Sequence, residues 1–203
     1  MKAGGRLSRH ITLLCGLVFL LLAACGTTAP TRFYLLDPLA EPGEAASAAS
    51  SESLSITLAP VELPEHLNRP QIVTRKKDSM VGIDEFNRWA EPLKAGVTAT
   101  LAENLSLLLG TDRISITNRL RDTGSDYGIA VNVLRFDGWP GGEATLVCRW
   151  VLYQGDAPEA PRPRRFSATT KVEGADYPAL VTALSGMLAK LSREIAGQIT
   201  SGL

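Results

Sequence analysis

Two stretches of this chain carry apolar residues at helical spacing, and most of the remaining ordered-looking sequence alternates. Leu93, Val97, Leu101, Leu105 and Leu108 recur every three or four residues, which sets them on one face of a helix. Pro92 suits its first turn and Gly110 its C-terminal cap. Leu180, Leu184, Met187, Leu188, Leu191, Ile195 and Ile199 make a second stripe, opened by Asp176-Tyr177-Pro178. Strand-like runs lie before, between and after them, in the order β-β-β-β-α-β-β-β-β-α. That order predicts a single α/β domain with a mixed β-sheet and two long amphipathic helices. A crossover from Leu54–Ala59 through the first helix to Ile114–Thr117 is expected to be right-handed.

The strands differ in what they imply. Phe33-Tyr34-Leu35-Leu36 is a short apolar run, and in Leu54–Ala59 the residues Leu54, Ile56 and Leu58 share a face. Gln71–Arg75 and Met80–Ile83, separated by Lys76-Lys77-Asp78-Ser79, read as a hairpin. In Tyr127–Phe136, Ile129, Val131 and Val133 oppose Ala130, Leu134 and Phe136. In Thr145–Tyr153, Leu146, Cys148, Trp150 and Leu152 oppose Val147, Val151 and Tyr153. Apolar residues on both faces predict central strands covered on both sides. Gly138, Gly141 and Gly142 lie between these two strands with no helix to follow, so they are hairpin glycines and not a phosphate loop. Phe166–Val172 is the last strand.

The N-terminus says where such a domain would live. Lys2, Arg6 and Arg9 precede an apolar run from Ile11 to Ala24, which ends in Leu22-Ala23-Ala24-Cys25. A basic n-region, a short apolar segment and small exit residues make a secretory signal, and the run falls short of the roughly 20 apolar residues that span a bilayer. The pattern resembles a bacterial lipoprotein signal, with Cys25 as the thiol that takes a diacylglycerol and an acyl chain. An ordinary signal peptide ending by chance in cysteine is the bland alternative. In lipoproteins of this kind Asp after the cysteine retains the protein at the inner membrane. Gly26 in that place therefore favours the outer membrane. The expected organisation is a signal over residues 1–24, a lipidated tether over 25–32, and a domain over 33–203 containing an Ala/Ser-rich excursion at 41–51.

Composition then removes whole classes of function. Cleavage before Cys25 takes 24 residues from the 203 and leaves 179, enough for a core without staples. The full chain has 21 basic and 21 acidic residues; losing Lys2, Arg6 and Arg9 leaves 18 against 21, which gives no electrostatic case for nucleic acid. Cys15 leaves with the signal and Cys25 is consumed by its thioether, so Cys148 has no intrachain disulfide partner. Its alternation with Leu146 and Trp150 predicts a buried, inert thiol. His10 leaves too, and His66 alone builds neither a histidine-centred triad nor a multi-histidine metal site. Carboxylate-only chemistry stays open, with no pair marked for it. The expectation is no enzyme, no metal and no cofactor beyond the covalent lipid on Cys25.

Two segments are dense in binding chemistry: Pro60–Arg75, and Glu85-Phe86-Asn87-Arg88-Trp89-Ala90-Glu91-Pro92-Leu93. Arg69, Arg75 and Arg88 stand near Glu85 and Glu91 in sequence, with Trp89 among them. The structural reading is an ion-pair cluster around a core tryptophan at the entrance to a helix. The functional reading is a subunit or partner surface, because Trp and Arg dominate binding hot spots. Arg162, Arg164 and Arg165 could meet anionic head groups or be a solvated loop.

Taken together, these residues resemble the PqiC/YmbA family of auxiliary lipoproteins of ABC-type and MCE-type lipid transport systems. The likeness rests on the lipobox, Phe33-Tyr34-Leu35-Leu36, Leu63-Pro64, Arg69 to Val73 and Arg88 to Leu93. It continues through Arg135-Phe136-Asp137-Gly138, Gly142, Ala144, Leu146 and Arg149-Trp150. The excursion at 41–51 and the Pro-rich Ala157–Pro163 depart from the family pattern. The resemblance implies a three-layer α/β fold like the N-terminal domain of TolB. It also implies a ring-like homo-oligomer that docks on an MCE tunnel protein. On this reading the chain is a non-catalytic scaffold of a trans-envelope lipid transport system, facing the periplasm from the outer membrane. A free-standing lipid-binding carrier is the alternative, and it would need an apolar cavity.

Overall fold

Both stripes are helices in the computed structural model, which describes residues 29–41, 54–76, 80–119, 124–155 and 161–202. The signal, Cys25, Gly26 and all but the first residue of the 41–51 excursion lie outside the described residues. The chain divides into two compact units, Met1–Pro30 and Thr31–Leu203, and every described helix and strand belongs to the second.

Helix α1 spans Leu93–Leu109 and buries Leu93, Val97, Leu101, Leu105 and Leu108, as the spacing predicts. It ends at Gly110, whose φ of 64° is left-handed and suits glycine. Helix α2 spans Tyr177–Thr200, and Asp176 caps it by accepting a hydrogen bond from the Ala179 N–H at 3.0 Å. The two helices pack on each other, and α2 also packs on the last three strands.

The strands fall into two sheets rather than one. β1 (Arg32–Tyr34), β4 (Val81–Trp89) and β3 (Gln71–Arg75) form a small sheet in the order β1-β4-β3. β2 (Ile56–Leu58), β5 (Ile114–Ile116), β6 (Tyr127–Gly138), β7 (Glu143–Gln154) and β8 (Arg164–Lys171) form a larger one, ordered β5-β2-β6-β7-β8. β2 is parallel to both β5 and β6, so the chain does cross from β2 through α1 to a parallel neighbour, with the β3–β4 hairpin inserted on the way. β1 begins at Arg32, one residue inside the expected tether, and β4 runs on to Trp89 where sequence suggested the approach to a helix.

Two expectations about faces are corrected. Val133 stands opposite Cys148 and Phe136 opposite Leu146, with the register shifting between Val133 and Arg135. This β-bulge turns the strand by one residue, so Phe136 joins Ile129, Val131 and Val133 in the core while Leu134 is 41% exposed. The second correction concerns cover. Ala144, Leu146, Cys148 and Trp150 are buried beneath the helices, yet on the opposite face of β6–β8 Asn132, Arg149, Arg165, Ser167 and Thr169 are exposed. The larger sheet is thus open on much of its outer side. β8 also begins at Arg164, which puts Arg164 and Arg165 on a strand and not in a loop.

Candidate docking site

The residues from Pro60 to Leu93 build the small sheet and its attachment to the large one. Pro60 and Val61 continue past β2, and the Val61 N–H donates to Thr98 Oγ1 of α1 at 3.1 Å. A 3-10 turn at Glu65–Leu67 comes next, burying Leu67, and leads into β3.

Arg75, Arg135 and Asp137 meet where β3 reaches β6. The Asp137 side chain is fully buried, and Arg135 Nε donates to its Oδ1 at 2.8 Å. Arg75 Nε lies 3.0 Å from Oδ2 but out of hydrogen-bond alignment, so that contact is Coulombic. Arg75 Nη2 also reaches His66 Nε2 at 3.2 Å. A buried carboxylate needs such neutralisation, and two cations supply it here. From the sequence Asp137 belongs to the hairpin link, and this role is not foreseen there. The Arg135-x-Asp137 spacing, two residues apart on one strand face, is the signal that could have shown it.

The expected cluster of Arg69, Arg75, Arg88, Glu85, Glu91 and Trp89 is not brought together as one group. Arg88 Nη2 pairs with Glu85 Oε2 at 3.1 Å, and Gln71 Nε2 donates to the same oxygen at 3.1 Å. Arg75 points instead to Asp137, and Arg69 is half-buried with its Nε buried and without a hydrogen-bond partner. Glu91 is exposed near the start of α1, within reach of Gly96. Trp89 is in the core, 6% exposed, its backbone N–H donating to Pro70 O at 2.7 Å.

Asp84 organises the middle of β4. Its Oδ1 accepts from the Phe86 and Asn87 N–H groups at 2.8 and 2.9 Å, and its Oδ2 from the Tyr177 hydroxyl at 3.1 Å. Burial pushes the Asp84 carboxyl up, but the hydrogen bonds from Asn87, Phe86 and Tyr177 outweigh it and hold the pKa below the ordinary value. Burial pushes the Tyr177 hydroxyl up to about 12, and the Asp84 bond adds to the effect. Around this frame the small sheet and its flanks leave large apolar side chains outside. Phe33, Leu35, Met80, Val81, Ile83 and Phe86 are exposed, from 40% at Phe86 to 73% at Met80. Such a set marks a contact surface better than a solvated one.

Elsewhere Cys148 is fully buried and burial pushes its thiol up to about 12, as the alternation predicts. Among the described residues no group of three or more His, Cys, Asp or Glu could hold a metal ion. No described helix is long and apolar enough to cross a membrane. A groove of about 310 Å³ runs between β8 and α2 over Ala179, Ala183, Gly186 and Met187, with Lys171 and Lys190 at its rim.

The architecture is that of an α/β domain with mixed sheets and two long helices, and solved structures share it. A crystal structure of an uncharacterized protein superposes with a TM-score of 0.68 at 22% identity, covering 84% of this chain and 99% of the other. Protein XCC0632 from Xanthomonas campestris gives 0.66 at 18% identity, covering 85% and 100%. No curated protein matches the chain in sequence. The model of one family matches residues 34–196, and the chain belongs to that family, the ABC-type transport auxiliary lipoprotein component.

Proposed function

We propose that the mature protein is a docking or scaffold subunit of a trans-envelope, MCE-type lipid transport system, without turnover of its own. It would be held by the lipid on Cys25 at the periplasmic face of the outer membrane and act as a homo-oligomer on an MCE-domain tunnel protein. Family membership supports a part in transport, and the signal ending at Cys25 supports the anchor. Docking is favoured over carriage by where the apolar surface lies. Phe33, Leu35, Met80, Val81, Ile83 and Phe86 are outside, on one small sheet and its flanks, while the interior is filled by side chains such as Trp150, Ile56, Leu101 and Met187. The β8–α2 groove stands at the lower end of the roughly 300–1,000 Å³ of small-molecule sites.

The test is a mild-detergent purification of the lipidated protein, with mass spectrometry of what accompanies it. Stoichiometric recovery of an MCE-domain protein is expected. Recovery of one bound lipid per chain and no MCE-domain protein would replace docking with the carrier reading. For the anchor, Cys25→Ala should abolish acylation and release the protein from membranes, and labelled palmitate on that variant at wild-type levels would refute the assignment.

A further inference from the structure

Arg149 and Arg165 stand directly opposite each other on β7 and β8. The Val172 N–H donates to Gly142 O, which fixes the phase of that ladder. Even-numbered residues of β8 bond to β7, so Arg149 and Arg165 form a non-hydrogen-bonded pair, the closer kind. Their Cβ atoms are then about 4.5–5.5 Å apart, where like charges destabilise. Both are exposed, and no salt bridge or hydrogen bond of either side chain occurs among the described residues. The row continues through Asn132 to Glu62, whose backbone is two strands from that of Arg149, about 9–10 Å away, and no salt bridge joins the two side chains among the described residues. Among the described residues no carboxylate pairs with either arginine to offset this repulsion.

The surroundings are unlike a solvated face as well. Outward residues of an antiparallel sheet facing water are ordinarily polar. Here Val147 and Val151 flank Arg149 along β7, and Ala130 and Leu134 lie beside them on β6. The end of the face at Asp137 is covered through Arg75 of β3, and the stretch around Arg149 is not. Among the described residues, helices cover one side of this sheet and only β3 reaches the other, at its Asp137 end.

We propose that this uncovered face seats an acidic amphipathic helix of a partner protein, its apolar stripe on Val147, Val151 and Leu134 and its carboxylates on Arg149 and Arg165. The occupant is not a helix from a second copy: the exposed charges of α1 and α2 are Lys94, Lys190 and Arg193 against Glu103 and Glu194, and Glu194 is taken by Trp150 Nε1. Arg149 and Arg165, with Arg135 on the same face held by Asp137, also differ from the clusters of about 4–8 basic residues that mark an anionic membrane surface. The identity of the partner, an MCE-system protein, rests on the docking function proposed above; the face and its chemistry do not.

The probe is a labelled, designed helical peptide with leucines on one face flanked by glutamates, and its lysine counterpart, titrated by anisotropy against the full lipidated protein in detergent. The glutamate peptide should bind about tenfold or more tightly than the lysine peptide, with a preference that weakens in salt. Arg149→Glu should abolish the preference, and the Arg149→Glu, Arg165→Glu double variant should reverse it. Lys190→Glu with Arg193→Glu, on the helix side, should leave it intact. Arg149→Glu should melt no lower than wild type, since it puts opposite charges across the strands. Equal binding of both peptides, or an unchanged preference in Arg149→Glu, would overturn the proposal. So would arginine-dependent binding to phosphatidylglycerol vesicles, against phosphatidylcholine controls, with none to either peptide. Co-purification separates the two readings. An MCE-domain protein that never accompanies the wild type, alongside a clear peptide preference, removes the partner and keeps the surface. One that accompanies Arg149→Glu as fully as wild type docks elsewhere on the protein and removes that partner from this face, whose own test is the peptide preference.

Discussion

At the scale of single residues, Trp89 shows how little position in sequence says about exposure. It follows Arg88 and precedes Ala90 and Glu91, all of them partly or fully exposed, yet it closes β4 with its ring in the core. Trp89→Ala should therefore cost about 3–5 kcal/mol, which for a domain this size lowers the melting temperature by roughly 6–20 °C. A thermal melt unchanged by the substitution would place the ring outside the core. Asp126 is a different case, a carboxylate whose partners are local to the fold and remote in sequence. The Ser55 hydroxyl and N–H both donate to its Oδ2, at 2.7 and 2.8 Å, and hold its pKa below the ordinary value. A depressed folded pKa stabilises fully above the unfolded value of about 3.9 and loses that contribution as pH falls through the folded one. Melting temperature should accordingly drop in acid below about pH 4, and Asp126→Asn should flatten that dependence. The cysteine and tryptophan burial was readable from alternation around Trp150. The Arg75–Asp137 contact was not, because it joins two strands that only the finished fold brings together.

Among elements, the helices were legible because each carries a stripe and a stop, and tertiary packing used the stripe unchanged. The strands were less so. Period two identifies a strand, but a bulge resets which residues face inward, and nothing in Val133-Leu134-Arg135-Phe136 announces one. Cover departs from the expectation for a related reason: apolar residues on both faces of β7 do not require that both be covered, and on its outer face Val147 and Val151 are half-buried beside an exposed Arg149. Asn104 is the polar counterpart, fully buried on α1 within the leucine stripe. Its Oδ1 accepts from the Leu39 N–H at 2.7 Å and its Nδ2 donates to Ser192 Oγ of α2 at 3.2 Å. One amide thereby joins the N-terminal segment to both helices. Asn104→Ala would strand the Leu39 N–H and open a small void, at about 1–3 kcal/mol. Amide exchange at Leu39 should accelerate more than exchange in β6 and β7; uniform loss of protection would mean the bond is not local to that segment.

At the scale of the molecule, the domain and the anchor make separate demands on experiment. Gly26→Asp should shift the protein toward the inner membrane in a cell that sorts lipoproteins by that residue, and a density gradient without redistribution would remove the reason for choosing the outer membrane. Fold class and the two helices are legible in the sequence because they depend on local periodicity. The exposed apolar surface is not, since it is assembled from β1, β4 and their flanks, and no local pattern in either strand signals their parallel pairing. That pairing has a mechanical meaning. If Cys25 is moored in a membrane, any pull on the body of the protein enters through β1, three residues long, and then through Leu36, Asp37 and Leu39. Asp37 is tied by its N–H to Ser185 Oγ of α2 at 3.0 Å, and Leu39 to Asn104 of α1. Tension on the mooring is thus delivered to both helices at once, and it also loads the β1–β4 ladder in which Tyr34 stands beside Trp89.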